Sequence, residues 1–251
     1  MHRDELLTYL AELLQIEIYK DFGPNGLQVE GRDEVRRIVT AVSAGIELFE
    51  AAIARDADAI LVHHGVLWDW QPSRLVGPHG ERVRLLMTSG INLLQYHLPL
   101  DGHPEIGNNA LGAQGLGLVD LEGFAPHGGV DIGIRGRFPE PITADELLHR
   151  VASFYDREPF VHRFGPDPVR SLGIVSGGAQ KSMVEAIDLG LDAFLTGEVS
   201  EWCRNGAQEA GLHYISAGHY ATEVCGIRTL GEHLADRFGL EVEFVDIPNP
   251  V

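Results

Sequence analysis

Three segments of the chain each place a histidine beside a second potential metal ligand. The pair His63-His64 lies in AILVHHGVLW, at the end of a short apolar run. HLPLD contains His97 and Asp101, and GHYATEVCGIRTL contains His219 and Glu223. Imidazole nitrogens and carboxylate oxygens are ligands that divalent metals such as zinc favour. The three segments together favour a metal site, with enough ligands for two neighbouring ions.

The adjacent pair His63 and His64 follows a run typical of a buried central strand. Neighbouring residues within a strand point to opposite faces. Because Gly65 comes next, the chain can turn so that both imidazoles face one cleft, where each would serve one of two ions. The alternative is that one histidine caps the strand and the other is solvated.

His97 and Asp101 flank Pro99, which is unfavourable inside a helix. We therefore predict a strand that continues into a loop, in which residues two and four apart share a face and these two side chains converge. Asp101 could otherwise be an ordinary acidic residue that starts the following turn.

His219 and Glu223 are four residues apart at the start of a predicted amphipathic helix. Side chains at this spacing lie on one helical face, with Cβ atoms about 5–6 Å apart, so both can contact one cation. The same spacing also occurs in simple surface pairs, and that alternative stays open.

Strand and helix patterns alternate along the chain, which predicts an α/β fold with mixed, largely parallel sheets. The unit RRIVTAVSA, GIELFEAAIARD and DAILVHH is matched by SLGIVSGGAQKSMVEAIDLGLDAFLTGEVS when Ile53 is aligned with Ile187, which indicates an internal duplication. The Gly- and Pro-rich section after residue 124 suggests a boundary. We predict a metal-binding lobe of residues 1–124 plus 216–251 and a second lobe of residues 125–215, inserted into the first.

Two further features are weaker. SGGAQKS lacks the glycine that a P-loop needs before Lys-Ser, because Gln180 stands there, although free N–H groups of this turn could meet an anion. In the internal repeat, Glu198 lies at the strand end that corresponds to the strand end of His63 and His64. It is either a proton-transfer group or an acid that favours a helix N-terminus.

The remaining histidines considered have no supporting residues and are interpreted as surface or core residues: His79, His103, His127, His149, His162, His213 and His233.

Composition excludes several classes of function. The formal net charge of −18 makes nonspecific binding to nucleic acid or to anionic lipid unfavourable. The two cysteines do not form a close pair, which argues against a disulfide framework or a thiolate zinc site and fits a reducing cytoplasm. No apolar run reaches the length of about 20 residues that a membrane span needs. We expect a soluble, unexported protein.

Several motifs in order, from near Phe22 to Val251, resemble the Nif-three-like family of dinuclear metal proteins, and most closely its bacterial YbgI-type members, the GTP cyclohydrolase I type 2 homologues. The motifs are NGLQVEG, VHHG, HLPLDGHPEIGNN, LTGEVSE, AGHYATEVCGIRTL and DIPNP. The chain has no room for the extra central domain of some eukaryotic and Gram-positive members, so functions that depend on that domain are not carried over.

The resemblance implies two related α/β lobes, a ring-shaped hexamer and two divalent metal ions per subunit, with zinc, iron, manganese and nickel all compatible. It implies metal binding by the residues that match the family pattern, with His97 close by: His63, His64, Asp101, His219 and Glu223. It also suggests a hydrolase that opens a purine nucleotide ring, as GTP cyclohydrolase does, or that processes damaged nucleotides, with His97 or Glu198 moving protons. Two alternatives are a metal-containing scaffold without activity and a nucleotide phosphoesterase.

Overall fold

The computed structural model describes residues 1–71 and 73–251, in which helices and strands alternate. The helices of these residues are α1 (Arg3–Leu13), α2 (Ile46–Ala54), α3 (Gly77–Ser89), α4 (Leu98–Asp101), α5 (Asn108–Leu116), α6 (Ala144–Tyr155), α7 (Met183–Asp188), α8 (Glu201–Ala210) and α9 (His219–Phe238). The strands are β1 (Gly26–Val29), β2 (Arg37–Ser43), β3 (Ala59–His64), β4 (Asn92–Gln95), β5 (Val119–His127), β6 (Val130–Ile142), β7 (Phe160–Arg163), β8 (Val169–Ile174), β9 (Ala193–Thr196), β10 (His213–Ser216) and β11 (Glu241–Phe244). Short 3-10 turns span Ile16–Ile18 and Gln180–Ser182.

The chain divides into two compact units. The first contains Met1–Leu100 and Gly226–Pro248, and the second contains Asp101–Cys225 and Asn249–Val251. The sequence-based boundaries at residues 124 and 215 differ from this division, because they fall inside strands β5 and β10. The Gly- and Pro-rich section that suggested a boundary forms the hairpin of β5 and β6 within the second sheet.

The first unit is built on a five-stranded sheet in the order β1-β4-β3-β2-β11. Strands β4, β3, β2 and β11 are parallel, and β1 pairs antiparallel with β4. The final strand β11 returns to this sheet, where it pairs with β2. On one face, Val39 and Ile60 pack with Leu48 and Phe49 of α2.

The second unit is built on a six-stranded sheet in the order β5-β6-β8-β9-β10-β7. Strands β8, β9 and β10 are parallel to one another, and the other three strand pairings are antiparallel, so this sheet is mixed, as the sequence predicted. Because side chains alternate along a strand, Leu195 packs with Leu147 of α6 on one face, while Phe194 packs with Met183 and Cys203 on the other.

The internal duplication is confirmed by topology and by hydrogen bonding. In each unit three parallel strands are connected by helices, and an antiparallel strand pairs with the third. Asp58 Oδ2 accepts the N–H groups of Arg36 and Arg37, each at 3.0 Å, at the start of β2. Asp192 Oδ2 accepts those of Arg170 and Ser171 at the start of β8, at 2.7 and 3.1 Å. The two aspartates therefore connect neighbouring strands in the same way.

Within the part of the chain that the structure describes, no helix is both long enough and apolar enough to cross a membrane.

Candidate metal centre

His63 and His64 end strand β3, and their rings lie side by side with centroids 4.7 Å apart. His63 is fully buried, and its Nδ1–H donates to the carbonyl oxygen of Tyr96 at 3.1 Å. Nδ1 of His64 pairs with the hydroxyl of Ser43 at 3.0 Å. In both rings a protein group engages Nδ1, which is the arrangement commonly found for histidines that bind a metal through Nε2.

Two amide side chains, that of the buried Gln95 and that of the partly buried Gln28, determine how the chain turns after this pair. The amide oxygen of Gln95 accepts the N–H of Gly65 at 2.6 Å, and that of Gln28 accepts the N–H groups of Val66 and Leu67 at 2.7 and 3.1 Å. A Cβ atom on Gly65 would lie 2.2 Å from the oxygen of Gln28. The turn therefore requires glycine at position 65 for reasons of space.

His97 follows strand β4 and joins the histidine pair. Its ring centroid lies 5.0 Å from that of His63 and 5.5 Å from that of His64. The three residues each offer a ligand atom, and these atoms all lie within 4.8 Å of one another. We call His63, His64 and His97 the triple-histidine group. Three imidazole donors this close match the nitrogen ligands of zinc and similar ions.

Nδ1–H of His97 donates to Oδ1 of Asp21 at 2.6 Å, and the Asp21 side chain is only 3% exposed. Burial alone would raise the pKa of Asp21, but hydrogen bonds from His97, Asn25 and the N–H of Phe22 outweigh burial and lower it. The aspartate is therefore ionised at neutral pH.

The segment HLPLD does not form the predicted strand and loop. Strand β4 ends at Gln95, and Leu98–Asp101 is a single turn of helix. Pro99 is accommodated because it lies in the first turn, where its missing N–H has no helical partner to lose. Asp101 is 5% exposed and accepts hydrogen bonds on Oδ1 from Asn108 Nδ2 at 2.8 Å and from Ser176 Oγ at 2.7 Å.

His219 begins helix α9, and its Nε2 lies 3.2 Å from Oε1 of Glu223, as the i, i+4 spacing predicted. Nδ1–H of His219 donates to Glu198 Oε1 at 2.6 Å. Burial lowers the pKa of His219, but the hydrogen bonds and charges of Glu223 and Glu198 outweigh burial and raise it to about 9. Glu198 thus orients a predicted metal ligand, in addition to any part in proton transfer.

A carboxylate oxygen of Asp101 and one of Glu223 lie within 4.8 Å of each other. Both residues are buried, at 5% and 2% exposure. We call Asp101, His219 and Glu223 the acidic group. Two buried carboxylates this close repel each other, and a bound cation would offset that repulsion. The donor chemistry of this group therefore fits a divalent ion.

The glycine-rich turn SGGAQKS is part of this arrangement and is not a phosphate loop. Its N–H groups bond internally: Ser176 donates to Asn109 Oδ1 at 2.8 Å and Gly177 to Thr222 Oγ1 at 2.9 Å. These two N–H groups are bonded within the protein, whereas the sequence had suggested that free N–H groups of this turn could meet an anion. Gly177 instead lies against Glu223, where an added Cβ atom would be 2.3 Å from Oε1.

Sequence reasoning missed the residues that hold the ligands. Asp21, Asn108 and Ser176 were not singled out from the sequence; each is recognisable only from its contact with a predicted site residue. His213 begins β10 and is a core residue as interpreted, with its Nδ1 accepting the N–H of Gly165 at 3.1 Å.

Comparisons with known proteins agree with this picture. Residues 1–250 match the family model described as Duf34/NIF3 (NGG1p interacting factor 3). A protein of Vibrio cholerae serotype O1, named GTP cyclohydrolase 1 type 2 homolog, is 45% identical and is covered over 100% of both chains. The solved structure of the protein ybgI, described as of unknown function, superposes with a TM-score of 0.94 at 40% identity over 100% of both chains. TTHA1606 from Thermus thermophilus gives a TM-score of 0.90 at 40% identity, again over 100% of both chains.

Proposed function

The chain belongs to the Duf34/NIF3 family, and from that membership we propose that it is a metal-dependent hydrolase with two divalent ions per subunit. The proposed ligands are the five residues that match the family pattern: His63, His64, Asp101, His219 and Glu223. The observation that carries the proposal is the buried carboxylate pair of Asp101 and Glu223, since a cation is the partner that best offsets their repulsion.

The donor set does not select one metal. Imidazole and carboxylate ligands suit zinc, manganese, iron and nickel, and availability would decide among them. When bound, such ions acidify a coordinated water toward a pKa of about 7 and so supply a nucleophile at neutral pH.

Two residues of the chain are proposed to move protons. His97 is adjacent to His63 and His64 and is paired with Asp21 through Nδ1. Glu198 is paired with His219 and also accepts a hydrogen bond from Gln180 Nε2 at 2.9 Å. Each lies against a proposed ligand, which is where general acid–base groups must be to act on a bound substrate.

The proposed substrate is a purine nucleotide, and the proposed reaction is ring opening with release of formate. Support comes from the relatives named GTP cyclohydrolase 1 type 2 homolog. A phosphoesterase would act on the same nucleotides but release phosphate, and a scaffold protein would release neither product.

The test uses metal-free protein reloaded separately with zinc, manganese and iron, and incubated with GTP and other purine nucleotides. Formate, phosphate and ring-opened products are followed by mass spectrometry. We expect turnover that is lost in His64→Ala and Glu223→Ala but kept in Glu232→Ala, an exposed glutamate on the same helix. Bound metal with no turnover on any nucleotide would contradict the hydrolase proposal and favour the scaffold.

We also propose that the chain assembles into a ring-shaped hexamer, on the basis of the family resemblance. Native mass spectrometry at micromolar concentration should give a mass six times that of the chain, and a monomer or dimer would contradict this.

A further inference from the structure

The loop of residues 21–25 binds the segment that carries His97 by several hydrogen bonds. Asp21 Oδ2 accepts the N–H of Leu98 at 2.9 Å, and Asn25 Oδ1 accepts the N–H of His97 at 2.9 Å. Asn25 Nδ2 in turn donates to Asp21 Oδ2 at 2.9 Å. The backbone on both sides of the His97 side chain is therefore held by this loop.

The His97 ring is restrained as well. Its Nδ1–H donates to Oδ1 of Asp21, which also accepts the N–H of Phe22 at 2.7 Å. The ring of Trp68 packs edge-on at a centroid distance of 5.2 Å, and that of Phe22 lies 6.1 Å away. The other groups bonded to the Asp21 carboxylate are N–H donors, so this carboxylate acts as an acceptor that leaves the proton on Nδ1 of His97.

We propose that Asp21 is the positioning residue of His97: it keeps the proton on Nδ1 and directs Nε2 toward an ion held by His63 and His64. A carboxylate bonded to one ring nitrogen commonly fixes the tautomer and orientation of a histidine whose other nitrogen faces a metal. The inference rests on the proposed function for the ion, but its tautomer component concerns the chain alone.

The first test is a ¹⁵N NMR measurement of the histidine side chains in metal-free protein at a pH where His97 is uncharged. His97→Gln identifies the His97 signals. We expect the Nδ1–H tautomer in the wild-type protein and its partial or complete loss in Asp21→Asn. An Nε2–H tautomer in the wild-type protein would overturn the proposal, whether or not the variant folds.

The second test is zinc affinity, measured by competition with a chelator. Loss of a residue that bonds to the far nitrogen of a metal-facing histidine commonly lowers metal affinity by about 10- to 100-fold. We expect a loss of zinc affinity in that range for Asp21→Asn and for His97→Gln. Asp69→Asn removes the same charge from an exposed residue whose N–H bonds to the Phe22 carbonyl, and it should bind zinc as the wild type does.

Circular dichroism shows whether the variants are folded. If Asp21→Asn does not fold, the tautomer of His97 in the wild-type protein and the zinc affinity of His97→Gln still test the proposal. Wild-type affinity in folded Asp21→Asn and in His97→Gln would overturn the proposal. A wild-type chain that binds no zinc would instead contradict the proposed function, which the tautomer measurement does not depend on.

Discussion

Gly177 combines two constraints on residue type. Its φ of +65° lies in the left-handed region, and an added Cβ atom would be 2.3 Å from Glu223 Oε1 and 3.2 Å from His219 Nε2. The strain of a left-handed backbone costs an ordinary residue roughly 1–2 kcal/mol. The close approach adds a second effect, because two members of the acidic group must move.

We therefore expect Gly177→Ala to lower zinc affinity by about tenfold or more, because disturbing the groups that position a metal ligand commonly costs about 10- to 100-fold in affinity. The matched control is Gly190→Ala: Gly190 has a φ of +66°, and a Cβ atom there would meet nothing within 4 Å. Both variants should lose similar stability from strain in urea unfolding, but only Gly177→Ala should lose zinc affinity in chelator competition. Equal affinities would show that Gly177 does not shape the ligand positions.

At the scale of elements, aspartates at the start of β3 and β9 hold the neighbouring strands in register. Burial alone would raise the pKa of Asp58, but the N–H groups of Arg37 and Arg36 and the guanidinium of Arg32 outweigh burial and lower it. A carboxyl whose folded pKa is lowered stabilises the fold above its unfolded pKa, about 3.9. That contribution is lost as the pH falls through the lower, folded pKa.

Asp58→Asn is expected to lower the free energy of unfolding at pH 7 by about 1–2 kcal/mol, because it weakens charge-assisted hydrogen bonds. The difference from wild type should shrink as the pH falls below 4, since the wild-type carboxylate is then protonated. Urea unfolding from pH 7 to pH 3 measures this. Asp56→Asn, an exposed neighbour, should show no difference at any pH, and a pH-independent deficit in Asp58→Asn would contradict the electrostatic explanation.

For the whole molecule, metal removal is expected to reduce stability. A ligand that binds only the folded state stabilises it by about 2.7 kcal/mol when its free concentration is 100 times its Kd. Chelator-treated protein should therefore unfold at a lower temperature in calorimetry, and added zinc should restore the original value. The double variant Asp101→Asn with Glu223→Gln should lose most of this zinc-dependent shift. Identical melting with and without zinc would contradict metal binding in the acidic group.

The charge of the whole chain leads to a separate prediction. A formal net charge of −18 repels phosphate backbones, and two divalent ions per subunit would offset only a small part of it. Fluorescence anisotropy with duplex DNA at physiological salt should show no binding by zinc-loaded protein. Salt-sensitive micromolar binding would indicate a local cationic surface that the composition does not reveal.

Much of the fold could be predicted from the sequence, because the spacing of apolar residues along the chain directly reflects which side chains are buried. The apolar run before His63 indicated a central parallel strand, and the spacing from His219 to Glu223 indicated one helical face. The alignment of Ile53 with Ile187 indicated an internal duplication, and the matching hydrogen bonds of Asp58 and Asp192 agree with it. These features depend on local geometry, which residue type and spacing specify.

Tertiary structure decided what local patterns leave open. Pro99 was compatible with both a loop and a first helical turn, and the folded chain adopts the turn. The hairpin of β5 and β6 suggested a boundary in the sequence, because glycine and proline content reflects backbone conformation and not sheet membership. Two residues that bond to site side chains, Asp21 beside His97 and Ser176 beside Asp101, are separated from them by more than seventy positions. The sequence thus determined which side chains can bind metal. Only the tertiary structure determined which residues hydrogen-bond to those side chains and orient them, because partners that are distant along the chain leave no periodic pattern.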